Sequence, residues 1–561
     1  MHPSLWRQAQ LVALHGLYKV TEGIYQVRGL DLSNLTLVEG RDGVVVIDPL
    51  ISAETAAAAL RLYREHRGER PVTAVIYTHS HVDHFGGVRG VVDGADVESG
   101  CVPVLAPQGF LHHAVVENVY AGTAMGRRAA YMYGAALPVG PAGQLGAGLG
   151  MSTSTGTVTL IPPTLDVTHT GQEERLDGVR MVFQLTPGTE APAEMNSFFP
   201  DHGALCMAEN ATHTLHNLLT LRGALVRDPH GWARYLTEAI ELFADATSVE
   251  FASHHWPTWG RAEVTALLSE QRDVYAYQHD QTLRLLNKGY VGAEIAEVLE
   301  LPPALARAWH ARGYYGSLSH NVKAVYQRYL GWFDGNPAHL WPHPPEQAAR
   351  RYVDAIGGPE AVLTVARRAL ADGDLRWVAE LAGHLVFAEP ANAEARELQA
   401  RAFEQLGFGA ENATWRNFYL TGAAELRGHD VGTPTSPASP DLVAQLTVPQ
   451  LFDSLAIQVD GPRAADERIV LDWTVGADPT GQYWSRLSNG VLTHGPGPSR
   501  EPAEAHVRLR KAALVALVAG GVAPAELAKS GQLAVDGPAA VLTRLLAALD
   551  PPDPDFAIVT P

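Results

Sequence analysis

A buried strand that runs straight into a cluster of histidines constrains this chain more than any other feature. The run VTAVIY (72–77) is apolar and rich in β-branched residues, and it leads into THSHVDH (78–84), followed by Phe-Gly-Gly. Upstream, VVVIDPL (44–50) reads as another buried strand, ending in an Asp and a Pro. Between them AETAAAALRLYREHRG (53–68) reads as a helix closed by Gly68. Strand, helix and strand in that order predict a βαβ unit with a parallel pair. His79, His81, Asp83 and His84 then offer four ligands within six residues at the end of a sheet strand. In such a loop His79 and His81 point the same way, while Asp83 and His84 turn toward a second point. That pattern suits two metals side by side, and imidazole with carboxylate favours Zn²⁺ or a similar ion. The glycines that follow let the backbone turn closely around them.

Composition narrows the chemistry. Two cysteines against 24 histidines exclude a disulfide scaffold and a Cys-based zinc ribbon, so any metal is held by His and carboxylates. Lys and Arg number 42 against 61 Asp and Glu, a formal charge of −19, which excludes a basic nucleic-acid footprint and a polybasic membrane anchor. No apolar run reaches the roughly 18 residues of a membrane-spanning helix. The first residues carry no signal-peptide-like apolar core, so a cytoplasmic location is expected.

The chain of 561 residues has room for three to four domains at roughly 150 residues each. Further strands are expected at 158–162, 179–186 and 203–208, and a long Gly- and Ala-rich loop at 134–156. From about 229 the pattern becomes helical, with helices expected at 232–246 and 264–289 and hairpin-like helices through 358–427. The Pro/Ser/Thr-rich GTPTSPASP (432–440) marks a linker. Beyond it IVLDWTV, QYWSRLSNGVLTH and HVRLR read as strands with a hairpin at Asn489–Gly490, and helices follow at 511–519, 524–530 and 538–549.

The HxHxDH signature after a βαβ unit resembles the metallo-β-lactamase superfamily. Where that superfamily carries a further His and a bridging Asp, this chain has TPGTEAPAE (186–194) and MAENAT (207–212), with a Glu in each place. Together with AENATHTLHNL (208–218), TLRGA (220–224), SHHWP (253–257), GYYGSLSHNVKAVYQ (313–327) and YLGWFDGNP (329–337), these segments resemble the alkylsulfatases of the superfamily, and the resemblance spans the chain. It implies an α/β fold: an αββα sandwich over 1–344, a helical dimerisation domain over 345–431, the linker, and a sterol-carrier-like α/β domain over 441–561. It implies two zinc ions per subunit, the first held by His79, His81 and Glu190, the second by Asp83, His84 and His254, with Glu209 between them. His255, beside His254, competes for that role, and Glu194 is expected to be an exposed loop acid. Three carboxylates against two Zn²⁺ leave net positive charge to activate water.

The same resemblance implies hydrolysis of linear alkyl sulfate esters of the dodecyl sulfate type to an alcohol and inorganic sulfate. Asn217, Arg222 and Arg227 are the expected sulfate contacts, since guanidinium forks suit oxyanions. His320 is expected to hold the sulfate or donate a proton to the leaving group. His213 and His216 support the loop or face the cavity, and Tyr314 and Tyr315 line it or pack as core. Cys206 is expected to be a buried thiol. The implied assembly is a homodimer whose partner molecule is the small alkyl sulfate. Competing readings are another two-metal hydrolase, acting on a lactone, thioester or phosphoester, and a lipid-binding protein with a vestigial site.

Overall fold

In a computed structural model, which describes residues 1–434, 439–476, 481–518, 522–538 and 540–561, the two β-branched runs of the βαβ unit lie side by side as parallel strands. They belong to a seven-stranded sheet in sequential order: β1 (Gly16–Thr21), β2 (Ile24–Arg28), β3 (Leu35–Glu39), β4 (Val44–Ile47), β5 (Val72–Ile76), β6 (Val104–Pro107) and β7 (Leu165–Val167). β1 to β4 form an antiparallel meander, and β4 to β7 are parallel. Every residue of β4 is buried, as expected of a strand covered on both faces. The crossover helix Ala53–Arg67 starts where Ser52 accepts a hydrogen bond from the Thr55 amide. It ends at Gly68, whose φ of 88° suits a residue without Cβ.

A second sheet faces the first. Its order is β13-β12-β11-β10-β9-β8, with β8 (Glu173–Leu176), β9 (Val179–Leu185), β10 (Met195–Phe199), β11 (Ala204–Cys206), β12 (Val249–Phe251) and β13 (Thr258–Trp259). In β9 alternate residues point inward. Val179, Met181 and Phe183 meet Val45, Ile47, Ile76 and Leu105 of the first sheet in one core, to which Cys206 also belongs. The outer face of the second sheet carries Phe198 and Leu205, covered by Trp232, Leu236 and Phe243 of the helix Pro229–Phe243 and by Val264 and Leu268 of the helix Arg261–Leu286. Helix, two sheets and helices stack as the αββα sandwich.

The expected strand at 158–162 is corrected: these residues form no strand. Pro162 and Pro163 follow the β-branched run and lack the amide donors that a ladder needs. Thr159 instead donates its amide and hydroxyl to the Gly86 carbonyl, and the Ile161 carbonyl accepts from the Tyr77 hydroxyl.

Downstream, five helices (Pro345–Ile356, Pro359–Asp372, Leu375–Ala388, Ala393–Gly409 and Ala413–Leu426) share an apolar core that includes Val362, Leu381, Leu385 and Leu398. They belong to the same compact unit as the sandwich, which comprises Met1–Ala114, Ala124–Thr435 and Asp555–Pro561. A second unit comprises Val115–Thr123 and Ser436–Pro554. It holds a five-stranded sheet in the order β16-β15-β14-β17-β18, built from β14 (Arg468–Val475), β15 (Gln482–Ser488), β16 (Val491–Pro496), β17 (Ala505–Leu509) and β18 (Leu533–Asp536). The expected hairpin turn joins β15 to β16, with positive φ at Asn489 and Gly490. Residues 435–438 of the linker and 519 and 539 of the expected helices lie outside the described residues. Among the described residues no helix is long and apolar enough to cross a membrane.

Candidate metal centre

β5 delivers the histidine cluster, and Asp48, just past the end of β4, aims it. The Asp48 carboxylate accepts the Thr78 amide at 2.8 Å, the Thr78 hydroxyl at 2.7 Å and the Ser253 hydroxyl at 2.6 Å, and lies 2.9 Å from His84 Nδ1. Burial works to raise its pKa, but the His84 imidazole and these hydrogen bonds hold it below the ordinary carboxylate range. His84 Nδ1 is thereby occupied and its Nε2 faces the centre. A single 3₁₀ turn, Val82–His84, separates the two ligand directions. Gly86 and Gly87 have a tighter job than backbone freedom: a Cβ would lie 2.2 Å from the Ile51 carbonyl at Gly86 and 2.1 Å from the Pro49 carbonyl at Gly87.

Seven side chains converge in two groups. His79, His81, Glu190 and Glu209 form one; Asp83, His84 and His254 form the other; all are buried, and in each group the ligand atoms lie within 4.8 Å of one another. His81 Nδ1 is 2.7 Å from Glu190 Oε2, and His84 Nε2 is 3.1 Å from Asp83 Oδ2. Glu209 Oε2 sits between the groups, 3.3 Å from His79 Nε2, 3.4 Å from His84 Nε2 and 3.2 Å from His254 Nε2. The Nε2 atoms of His79, His84 and His254 are buried without a hydrogen-bond partner. Buried polar atoms are normally paired, so several orphans facing one another fit a cation between them.

Of the adjacent histidines, His254 joins the cluster, its Nδ1 3.1 Å from the Leu32 carbonyl. His255 turns away, with Nδ1 accepting the His213 amide and Nε2 near the Gly148 carbonyl. Asp48, Ala208 and His255 take left-handed backbone conformations, with φ of 56°, 48° and 63°, the last two beside Glu209 and His254. Such strain in residues with a Cβ concentrates at functional sites.

Arg227 is buried, and its guanidinium is turned to Glu190 and Asn217. It donates to the Glu190 carboxylate and carbonyl and to both oxygens of Asn217. Burial would raise the pKa of Glu190; Arg227 and His81 hold it low. With Asn217 Oδ1 taken, its Nδ2 is a buried donor without a partner. Arg222 is half-buried, donating from NH1 to the Gly223 carbonyl at 3.2 Å. His216 Nε2 lies 2.8 Å from Glu209 Oε1, which leaves Oε2 to the histidines.

His320 stands beside this loop rather than in the cluster. Its Nε2 pairs with the Leu219 carbonyl and its Nδ1 accepts from Trp415 Nε1 at 3.4 Å. Burial pushes its pKa down to about 4, so the ring is neutral at neutral pH with its one N–H on Leu219. Tyr315 faces His216 at a ring separation of 4.9 Å and pairs with the Tyr133 hydroxyl at 3.0 Å, whereas Tyr314 bonds Ser4 elsewhere.

Glu194 corrects the expectation of an exposed loop acid: it is fully buried. Burial and the neighbouring Glu190 push its pKa up, opposed by the hydrogen bonds it accepts from the Thr189 hydroxyl and the Glu209 amide. The sequence alone gives no role to Asp48 or Ser253. The Asp closing VVVIDPL and the Ser opening SHHWP were the available signals.

Three family models match the chain: the metallo-beta-lactamase superfamily over residues 28–254, alkyl sulfatase dimerisation over 291–429, and alkyl sulfatase C-terminal over 436–561. The fold and the centre are thus those of a metallo-β-lactamase-type metal-binding domain. A linear primary-alkylsulfatase from Pseudomonas sp. is 53% identical, the match covering 100% of this chain and 83% of the relative. An (R)-specific secondary-alkylsulfatase from Pseudomonas sp. is 47% identical, covering 100% and 85%. The solved structure of a stereoselective inverting sec-alkylsulfatase from Pseudomonas sp. superposes with a TM-score of 0.96 at 47% identity, covering 100% of this chain and 88% of that one. The chain belongs to the alkylsulfatase family of sulfuric ester hydrolases.

Proposed function

We propose that this enzyme hydrolyses linear alkyl sulfates, dodecyl sulfate among them, adding water to give the alcohol and hydrogen sulfate. The observation that carries this is the pair of buried ligand groups sharing Glu209 Oε2, in a chain of this family. Two zinc ions would fit the donor set: His79, His81 and Glu190 would hold one, and Asp83, His84 and His254 the other, with Glu209 within reach of both groups. When bound, they supply positive charge that acidifies water and offsets the charge of the sulfate.

The chain's own residues divide the remaining work. Arg222 and the free Nδ2 of Asn217 bind and orient the sulfate. Arg227 acts one step back, fixing Glu190 and Asn217 through its hydrogen bonds. His320 acts through its bond to Leu219, holding the loop that carries Asn217 and Arg222. This replaces the proton-donor reading of His320, because its N–H is already committed.

The test is a substrate panel. Sulfate release is expected from dodecyl sulfate, with no hydrolysis of dodecyl phosphate or of a long-chain lactone. Activity on the lactone or phosphate with none on any alkyl sulfate overturns the assignment. In ¹⁸O-labelled water the label is expected in the alcohol, following the inverting relative, since inversion at carbon requires C–O cleavage. Label in the sulfate assigns attack at sulfur instead.

We also infer that two copies of the chain associate through the segment matched by the dimerisation model. Within it Trp332 and Trp341 are 75% and 95% exposed, near the exposed Tyr329, Leu330 and Leu340. Aromatic residues left in water at this density mark a surface that a partner covers. Sedimentation is expected to give twice the 60.3 kDa chain mass, and W332S with W341S to shift the protein toward monomer. A stable monomer of the unaltered chain removes this reading.

A further inference from the structure

The loop acid Glu194 touches all three segments that deliver the first ligand group. Its Oε2 accepts the Thr189 hydroxyl at 2.8 Å, the Glu190 amide at 3.0 Å and the Ala191 amide at 3.2 Å. Its Oε1 accepts the Glu209 amide at 3.2 Å. Its main chain forms a β-bridge to His79, and its carbonyl accepts the Thr186 amide at 2.9 Å. Met195, the next residue, donates its amide to the Thr78 carbonyl at 3.0 Å. Yet its side chain is not among the seven ligands.

The geometry points to Glu194 as the positioning residue that locks Glu190 and Glu209 into register with His79, and so sets the affinity of the first metal position. The inference rests on the two-metal reading of the site. The physical ground is that a carboxylate has two accepting oxygens and here uses both on N–H and O–H donors from different loops. Oε2 gathers the turn that carries Glu190, and Oε1 reaches across to the turn that carries Glu209. The second group, Asp83, His84 and His254, makes no bond to Glu194 and is aimed instead by Asp48 and the Leu32 carbonyl. Partners beyond the ligands, in other metal centres, change metal affinity by about 10- to 100-fold when altered.

Glu194→Gln keeps the size and removes one of the two accepting atoms, so whichever way the amide lies, one loop meets an N–H where it needs an oxygen. The full-length protein, stripped and titrated with Zn²⁺ against a chromophoric chelator, is expected to bind two equivalents. In E194Q one equivalent is expected to weaken about 10- to 100-fold, and the other, whose group adjoins Glu209 but not Glu190, to change less. General loosening of the fold does not produce that selectivity. Thr189→Val, which removes a single donor, is expected to weaken the same equivalent by a smaller factor, and it decides the matter if E194Q does not fold. Both equivalents unchanged, or both weakened by the same factor, overturns the role of Glu194 and leaves the two-metal reading standing. An unaltered protein that binds no Zn²⁺ overturns the two-metal reading itself.

Discussion

Removing bound metal with a chelator is expected to abolish sulfate release from dodecyl sulfate, and adding Zn²⁺ back to restore it. Without cations Asp83, Glu190 and Glu209 place three buried carboxylates around the point where an anionic substrate must react. The chain as a whole adds to the repulsion, with a formal charge of −19. Lewis-acid charge stabilisation is worth several kcal/mol, and each ~1.4 kcal/mol is a factor of ten, so the loss is expected to exceed about a thousandfold. The check is initial rates on dodecyl sulfate before chelation, after it, and after reconstitution, with metal content measured alongside. A stripped enzyme that keeps a tenth of its rate ends the metal-dependent reading.

The second large effect belongs to Arg227. Replacing it with Met strands the Glu190 carboxylate in a buried site and leaves both Asn217 oxygens without their donor. Breaking a buried ion pair from one side costs about 3–5 kcal/mol, which a shift in the urea midpoint reads directly. Catalysis is expected to fall by about 10- to 100-fold or more, chiefly in kcat and together with metal content. Arg227→Lys does not rescue it, because an ammonium cannot reproduce the fork that reaches Glu190 and Asn217 together. A rise in KM with kcat and metal content intact would instead make Arg227 a direct sulfate contact.

Arg227 also shows where the sequence stops being legible. An arginine near a sulfate-type motif reads as an anion contact, but the same fork serves an internal carboxylate equally well, and only the fold says which it meets. His79, His81, Asp83 and His84 are legible because a strand end brings neighbours in sequence to one point. Glu190, Glu209 and His254 come from other strand ends, and only the resemblance tied them to the cluster. Glu194 read as a surface acid because most loop acids are solvated. It is buried because four donors from two turns replace the water. The run 158–162 has the composition of a strand, but two prolines deny it a ladder. The linker and the Asn-Gly hairpin were readable because their signals are local.

The close contact at Gly86 and Gly87 bears on how portable this centre is. Because neither position has room for a Cβ against the 49–51 carbonyls, the histidine loop and the turn after Asp48 fit together as one interlocked piece. The same turn carries the carboxylate that orients His84. Transplanting HxHxDH alone onto another scaffold therefore moves the ligands without their mould. A graft that works must carry 48–52 along with 78–87.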